Sequence, residues 1–186
     1  MRKTTLILLS ATAITLAGCG KKAETPPVSA DLNQDASMTS PLPALSPHQA
    51  FANTAAASDF FEIESSKLAL ERSSSATVKA FANQMIKAHT ESSDKLKATA
   101  AMLSPAIMPD DTLGPDQRAT LDSLTATEGT AFDGAYIAAQ VGAHEKALEA
   151  LKGYAATSDV PELKAIANEL IPKVTAHLNM AKGLKP

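Results

Sequence analysis

Four ionisable residues recur in the same kind of place in this chain. His144 lies in FDGAYIAAQVGAHEKALEAL, residues 132–151. At about 100° per residue, Tyr136, Ile137, Gln140, His144, Ala147, Leu148 and Leu151 share one face there, the face a helix would bury. His89 holds the centre of a stripe made by Val78, Phe81, Met85, Leu96 and Leu103. His177 falls on the face of Leu163, Ile166, Ala167, Leu170, Val174, Leu178 and Ala181. Glu64 projects into the arc of Phe60, Phe61, Ile63 and Leu68, with Glu62 turned away from it. A buried carboxylate or charged imidazole is costly when alone. Three imidazoles and one carboxylate facing each other are satisfied in one of two ways. They bind a single divalent transition-metal ion, since imidazole nitrogen and carboxylate oxygen are common ligands of zinc, copper and iron. Or they hydrogen-bond one another, with Tyr136 and Gln140 as helpers.

Other residues carry less. Met85 lies one turn before His89 on the same face; a thioether there suits copper, but a methionine on a buried stripe usually fills the core. Asp133 is explained by a capping position. Glu71 points inward near a helix end, where water reaches it, and His48 belongs to a first turn facing water. No Ser-His-Asp pattern and no glycine-rich phosphate loop occurs, so nucleophilic hydrolysis is not expected. Four protein ligands would leave a metal no open position, so a binding protein is expected before an enzyme.

The elements that must position these residues are helices. Ser46-Pro47-His48-Gln49 opens the first, with Ser46 as cap, Pro47 in the first turn and Gln49 completing a capping box; it runs to about Ser73. The second follows Ser73-Ser74-Ser75 and runs to about Leu103. Three prolines and Gly114 break the chain between Ser104 and Pro115. A short helix covers Pro115 to Ala126, and Gly129 interrupts again. A third long helix runs from near Thr130, with Asp133 in capping-box position, to about Ala156. Asp159-Val160-Pro161-Glu162 starts the fourth, which Pro172 should kink. Nothing resembles a strand.

Counting residues at ~1.5 Å each from the turn near residue 74 decides between two topologies. Glu64 lies about 10 residues down and His89 about 14. In an up-down-up-down bundle His144 falls about 13 down and His177 about 19, well below Glu64. If residues 104–129 cross the whole length instead, His144 is about 15 down and His177 about 10. All four then share one level within roughly 8 Å. A link of about 26 residues is far longer than an antiparallel turn needs, so an all-α four-helix bundle with a long crossover between the second and third long helices is expected.

Composition sets the surroundings. The 186 residues allow one ordinary domain plus tails, and few aromatics with no Trp suit helices packed through small residues. The formal charge is −3, with no basic face, which argues against a nucleic-acid partner. Residues 1–18 read as an export signal: Arg2 and Lys3 precede an apolar run, Thr4 to Leu16, too short to span a bilayer. Leu16-Ala17-Gly18-Cys19 looks like the lipobox of bacterial lipoproteins, which implies acylation of Cys19 and a membrane anchor; the alternative is an ordinary secretory signal with a chance cysteine. Gly20, where an aspartate would favour the inner membrane, points to the outer membrane, facing the periplasm. Cys19 is the only cysteine, so no intramolecular disulfide forms. Residues 19–45, with Pro26, Pro27, Pro41 and Pro43, read as a disordered tether reaching on the order of 30 Å, and residues 46–184 as the folded domain.

Several of these positions also form a motif set: Phe81-Ala82, Met85 and His89-Thr90; Phe132-Asp133, Tyr136-Ile137, Gln140-Val141, Ala143-His144 and Ala147-Leu148; Pro172 with His177-Leu178. Over about residues 47–182 this resembles the bacterial exported domain-of-unknown-function family 4142, described as predicted outer-membrane proteins with a ferritin-like four-helix fold. The resemblance implies the crossover bundle and brings no activity with it. Di-iron ferritins place a glutamate three residues before the ligand histidine; here Ile86, Val141 and Val174 stand there, so no ferroxidase centre is expected. The function expected is metal handling or envelope stress protection through Glu64, His89, His144 and His177. The alternative is a non-catalytic envelope interaction module, with a protein partner, whose polar cluster only fixes helix register.

Overall fold

Where serine and proline open segments with apolar positions at 3–4 residue intervals, helices form. The computed structural model describes residues 44–186, and these contain α1 (Pro47–Arg72), α2 (Ala76–Ala101), α3 (Pro115–Ala126), α4 (Ala131–Thr157) and α5 (Pro161–Gly183), with no strand among the described residues. The export signal, Cys19 and the tether as far as residue 43 lie outside them. The domain is all-α. No described helix is long and apolar enough to cross a membrane.

The helix starts follow local chemistry. The Ser46 hydroxyl accepts a hydrogen bond from the Gln49 amide at 3.1 Å, and the Ser75 hydroxyl accepts from Val78 at 3.4 Å. The reciprocal arm of the expected capping box is missing. The Gln49 side chain instead donates to Asn53 Oδ1 and to the Met108 carbonyl, both at 2.7 Å. Thr130 makes no side-chain cap, and Asp133 is buried rather than capping. Pro172 sits inside α5 without ending it; its missing N–H leaves the Asn168 carbonyl without a helical partner.

Each of the four long helices packs against two others: α1 against α2 and α4, α5 against α4 and α2. Every pairing is antiparallel. Across α1 and α4, His48 meets Tyr154, Ser65 meets Gln140 and Ser66 meets Tyr136, one number rising as the other falls. Across α2 and α5, Lys95 meets Glu169 and the His89 ring faces that of His177. Successive hairpins joined by a short turn could not give this order. The link between α2 and α4 runs along α1 instead: Gln49 holds the Met108 carbonyl, Gln117 donates to the Ala57 carbonyl at 3.2 Å, and Arg72 donates to the Thr127 carbonyl at 2.9 Å. Contacts from the first turn of α1 to its last mark a link that traverses the domain.

The interior has two apolar clusters. One gathers Phe51, Ala52, Leu96, Leu148, Leu151, Leu163 and Ile166; the other gathers Val78, Phe81, Met85, Leu124, Phe132 and Tyr136. Between them lies a buried polar band: Asp59, Glu62, Ser65, Ser66, His89, Gln140, His144 and His177.

Two glycines separate backbone need from tolerance. Gly129, just before α4, has φ +61°, where a Cβ is strained. Gly153 is an exposed position within α4 where a Cβ meets nothing within 4 Å. Gly129→Ala should destabilise the domain by about 1 kcal/mol, and Gly153→Ala should stabilise it by about 0.5–1 kcal/mol, in urea denaturation.

Candidate metal centre

Each histidine reaches the polar band because its helix repeats small or apolar residues at 3–4 spacing around it. On α2 the buried positions are Val78, Phe81, Ala82, Met85, His89, Leu96 and Ala100. On α4 they are Phe132, Asp133, Tyr136, Gln140, His144, Leu148, Leu151 and Ala155, and on α5 Val174, His177, Leu178 and Ala181 follow Leu163, Ile166 and Ala167. The three rings form an equilateral triangle, each pair of centroids 5.7 Å apart. One ligand nitrogen from each lies within 4.8 Å of the other two.

The outer nitrogens are mostly committed. His89 Nδ1 lies 2.7 Å from Asp59 Oδ1, and Asp59 Oδ2 accepts from the Ser93 hydroxyl at 3.2 Å. His144 Nδ1 donates to the Gln140 carbonyl at 2.7 Å, with Glu62 Oε1 3.6 Å behind it. These bonds place the proton on Nδ1 and leave Nε2 of both rings turned elsewhere. His89 Nε2, His144 Nε2 and His177 Nδ1 are buried with no hydrogen-bond partner, as are both Glu62 oxygens.

Burial governs the electrostatics. It pushes His144 down to about 4, and it pushes His177 down to about 4 with help from the charge of His89. Both rings are therefore neutral at physiological pH, the form that ligates metals. Burial also pulls His89 down, but the Asp59 hydrogen bond and the charges of Glu62 and Asp59 outweigh it, and the net shift is upward. The Glu62 carboxyl is pushed up to about 7 by burial, against the opposing pull of His89.

A metal–imidazole bond of about 2.0–2.1 Å requires ligand nitrogens about 3.4 Å apart in a tetrahedral site. The nitrogens lie within 4.8 Å of one another, so holding an ion would require each pair to close by up to about 1.4 Å. A carboxylate orienting one imidazole and a backbone carbonyl orienting another are the usual outer partners of metal-binding histidines.

The expected carboxylate ligand is elsewhere. Glu64 is part-exposed, with Oε1 2.7 Å from Lys67 Nζ, and lies outside the cluster. Glu62, expected to face outward, is 1% exposed. The register of α1 differs from the one its large side chains indicate. Phe60 is 38% exposed, and beside Phe51 and Phe61 the inner face is built from Ala52, Ala56, Asp59, Glu62, Ser66 and Ala69. Two residues are about 200° of helix, so an arc drawn from the wrong side chains exchanges Glu62 and Glu64. The signal for Asp59 and Glu62 was the run of small residues at 3–4 spacing through both. Tyr136 and Gln140, expected to help the histidines, bond to α1 instead: Tyr136 to the Ser66 hydroxyl at 2.9 Å and Gln140 to that of Ser65 at 3.1 Å. Met85 is fully buried within the apolar cluster of Phe81 and Tyr136. Glu71 is exposed, and His48 bonds Tyr154 at 2.9 Å and Asp159 at 3.1 Å.

No curated protein matches this sequence. Solved structures do share its fold. A DUF305 fragment from Deinococcus radiodurans aligns with a TM-score of 0.65 at 15% identity, over 76% of this chain and 97% of that one. CopM in its Cu(I)-bound form aligns at 0.62 with 16% identity, over 75% of this chain and 95% of that one. CopM in its apo form aligns at 0.60 with 17% identity, over 73% and 93%. The sequence model of the family described as Domain of unknown function (DUF4142) matches residues 33–184, and the chain belongs to that family.

Proposed function

We propose that this protein is a lipid-anchored, periplasm-facing ferritin-like four-helix bundle that holds one transition-metal ion through His89, His144 and His177, and that it serves metal handling or protection of the envelope. The observation that carries the reading is the triangle of imidazoles at 5.7 Å, each ring with a buried, unpartnered nitrogen. A network that served only helix register would use those nitrogens. Asp59 and Glu62, behind the rings, bring two carboxylates that a dication would balance. Three imidazoles without a thiolate suit copper or zinc, and iron less. Copper is the first choice, because CopM shares the fold and is known in Cu(I)-, Cu(II)- and silver-bound forms. Acylation of Cys19 would place the domain at the membrane surface, and the outer membrane is the one we favour.

Protein purified without chelators should carry or take up about one equivalent of metal, and saturating copper should raise the melting temperature by on the order of 10 °C. The His89→Ala/His144→Ala/His177→Ala triple variant should lose both effects. Asp59→Asn should weaken metal binding about 10–100-fold, while Glu64→Gln should leave it unchanged. Wild-type protein that stays metal-free and melts unchanged with Zn²⁺, Cu²⁺ and Fe²⁺ would sink the reading. Cys19→Ser should release the protein from the membrane fraction on cell fractionation.

Acid stability of the metal-free protein follows from the same groups. His144 and His177 are held near 4 against 6.5 when unfolded, so their contribution is full above about 6.5 and is lost as pH falls toward 4. Glu62, raised from 4.5 to about 7, works oppositely: its contribution is full below 4.5 and is lost as pH rises through 7. Between these limits the unfolded chain binds about one more proton than the native one. Stability should therefore rise with pH from about 4.5 to 6.5, and Glu62→Gln should steepen that rise. Urea denaturation across this range measures both.

A further inference from the structure

A pocket opens between the apolar cluster of Phe51, Leu151 and Ile166 and the imidazoles. A cavity of about 350 Å³ lies there, with His89, His177 and Asp59 at one end. Its walls include Phe51, Ala55, Ala88, Leu151, Ile166 and Val174. It reaches the surface beside Lys95, Glu169 and Lys173, where Glu169 bonds both lysines and so joins α2 to α5. Open to solvent at that end, it is a deep pocket rather than a closed void. It persists because α1, α2 and α4 all present alanine to it, at Ala55, Ala88, Ala147 and Ala150.

We propose that this cavity binds a small molecule with an apolar body and one nitrogen-type head group that both donates and accepts, the head lying against His89 and His177. This rests on the three-histidine reading only for what the head meets. With metal present, three protein nitrogens leave a fourth tetrahedral position, and the head supplies the missing ligand. Without metal, the head pairs with the unpartnered His89 Nε2 and His177 Nδ1. Thr54, Ser58 and Ser92 also line the pocket but none bonds those nitrogens, and on the other side of the band Met85 and Tyr136 are packed with no exposure. Since a cavity of about 150 Å³ accommodates benzene, this one has room for roughly ten to fifteen non-hydrogen atoms.

The probe is 4-phenylimidazole, compared with bare imidazole, on purified full-length protein in metal-free and Cu²⁺-loaded forms. Titration followed by melting temperature, and by the copper visible and EPR spectra in the loaded form, should show 4-phenylimidazole binding at least tenfold more tightly than imidazole. Ala88→Leu and Ala147→Leu, which fill the cavity from different helices, should each abolish that preference while metal content stays near one equivalent. Equal binding of the two probes, no binding to either form, or filled variants that keep the preference would each overturn the proposal. A chain that takes no copper yet prefers 4-phenylimidazole would keep the cavity site and remove only the metal. A copper-loaded chain without the preference would do the reverse.

Discussion

The Asp59–His89 hydrogen bond, 2.7 Å long and closed to water, ties α1 to α2 at the level where every long helix carries a polar residue inward. A lone carboxylate or imidazolium there would be strongly destabilising. Paired, with Ser93 on the second carboxylate oxygen, Asp59 has its acceptors occupied and the His89 ring has one orientation. That orientation leaves Nε2 buried and without a hydrogen-bond partner. His144 is fixed by different means: a side chain at i bonds the carbonyl at i−4, so α4 orients its own ligand. His177 has no such partner on Nδ1 and is held by packing alone. The three rings are thus unequally constrained, and His177 on α5 has the most freedom to adjust.

The convergence depends as much on the link as on the side chains. With α4 beside α1 and α5 beside α2, all neighbours antiparallel, residues 89, 144 and 177 come to one level. A short turn between α2 and α4 would reverse both later helices and separate His177 from the others. The link is irregular over much of its length, so its position is set by side chains rather than by a ladder. Gln49, Gln117 and Arg72 each donate to a backbone carbonyl between α1 and the link, and Ile107 and Leu124 anchor it in the two apolar clusters. These contacts lie far from the imidazoles in sequence, yet they fix which end of α4 faces which end of α1.

Helix boundaries were legible because prolines, serines and glycines act locally. Ser46-Pro47, Ser75, Pro115 and Pro161 mark starts that fall within a residue of those observed. The three histidines were legible because on α2, α4 and α5 large apolar residues flank them and define the face. On α1 the same rule misled. Its inner face mixes Phe51 and Phe61 with alanine, serine and two acids, while Phe60 and Ile63 lie partly outside. Hydrophobic periodicity ranks large residues above small ones, but close helix approach reverses that ranking: alanine and serine go where backbones meet. The same error turned Glu62 outward and Glu64 inward. Asp133 was misread for a related reason, since a capping position and a buried face coincide at the start of α4, and burial prevailed.

Charge within the band links these observations. Asp59 and Glu62 carry up to two negative charges among three imidazoles, with no lysine or arginine buried beside them. Two protons neutralise the set: one on His89, which Asp59 favours, and one on Glu62, whose carboxyl is pushed up to about 7 by burial. One dication on the three nitrogens would do the same, with both protons leaving. Metal and protons are then alternatives for a single electrostatic position, as in sites where binding is coupled to proton release. A low-dielectric interior makes the choice sharp, because any state with the carboxylates uncompensated is costly. Glu62 need not touch a metal to matter. Its distance from His144, 3.6 Å on the side away from Nε2, lets it act on the ligand's basicity and on the charge of the whole band. Glu64, paired with Lys67 in solvent, acts on neither.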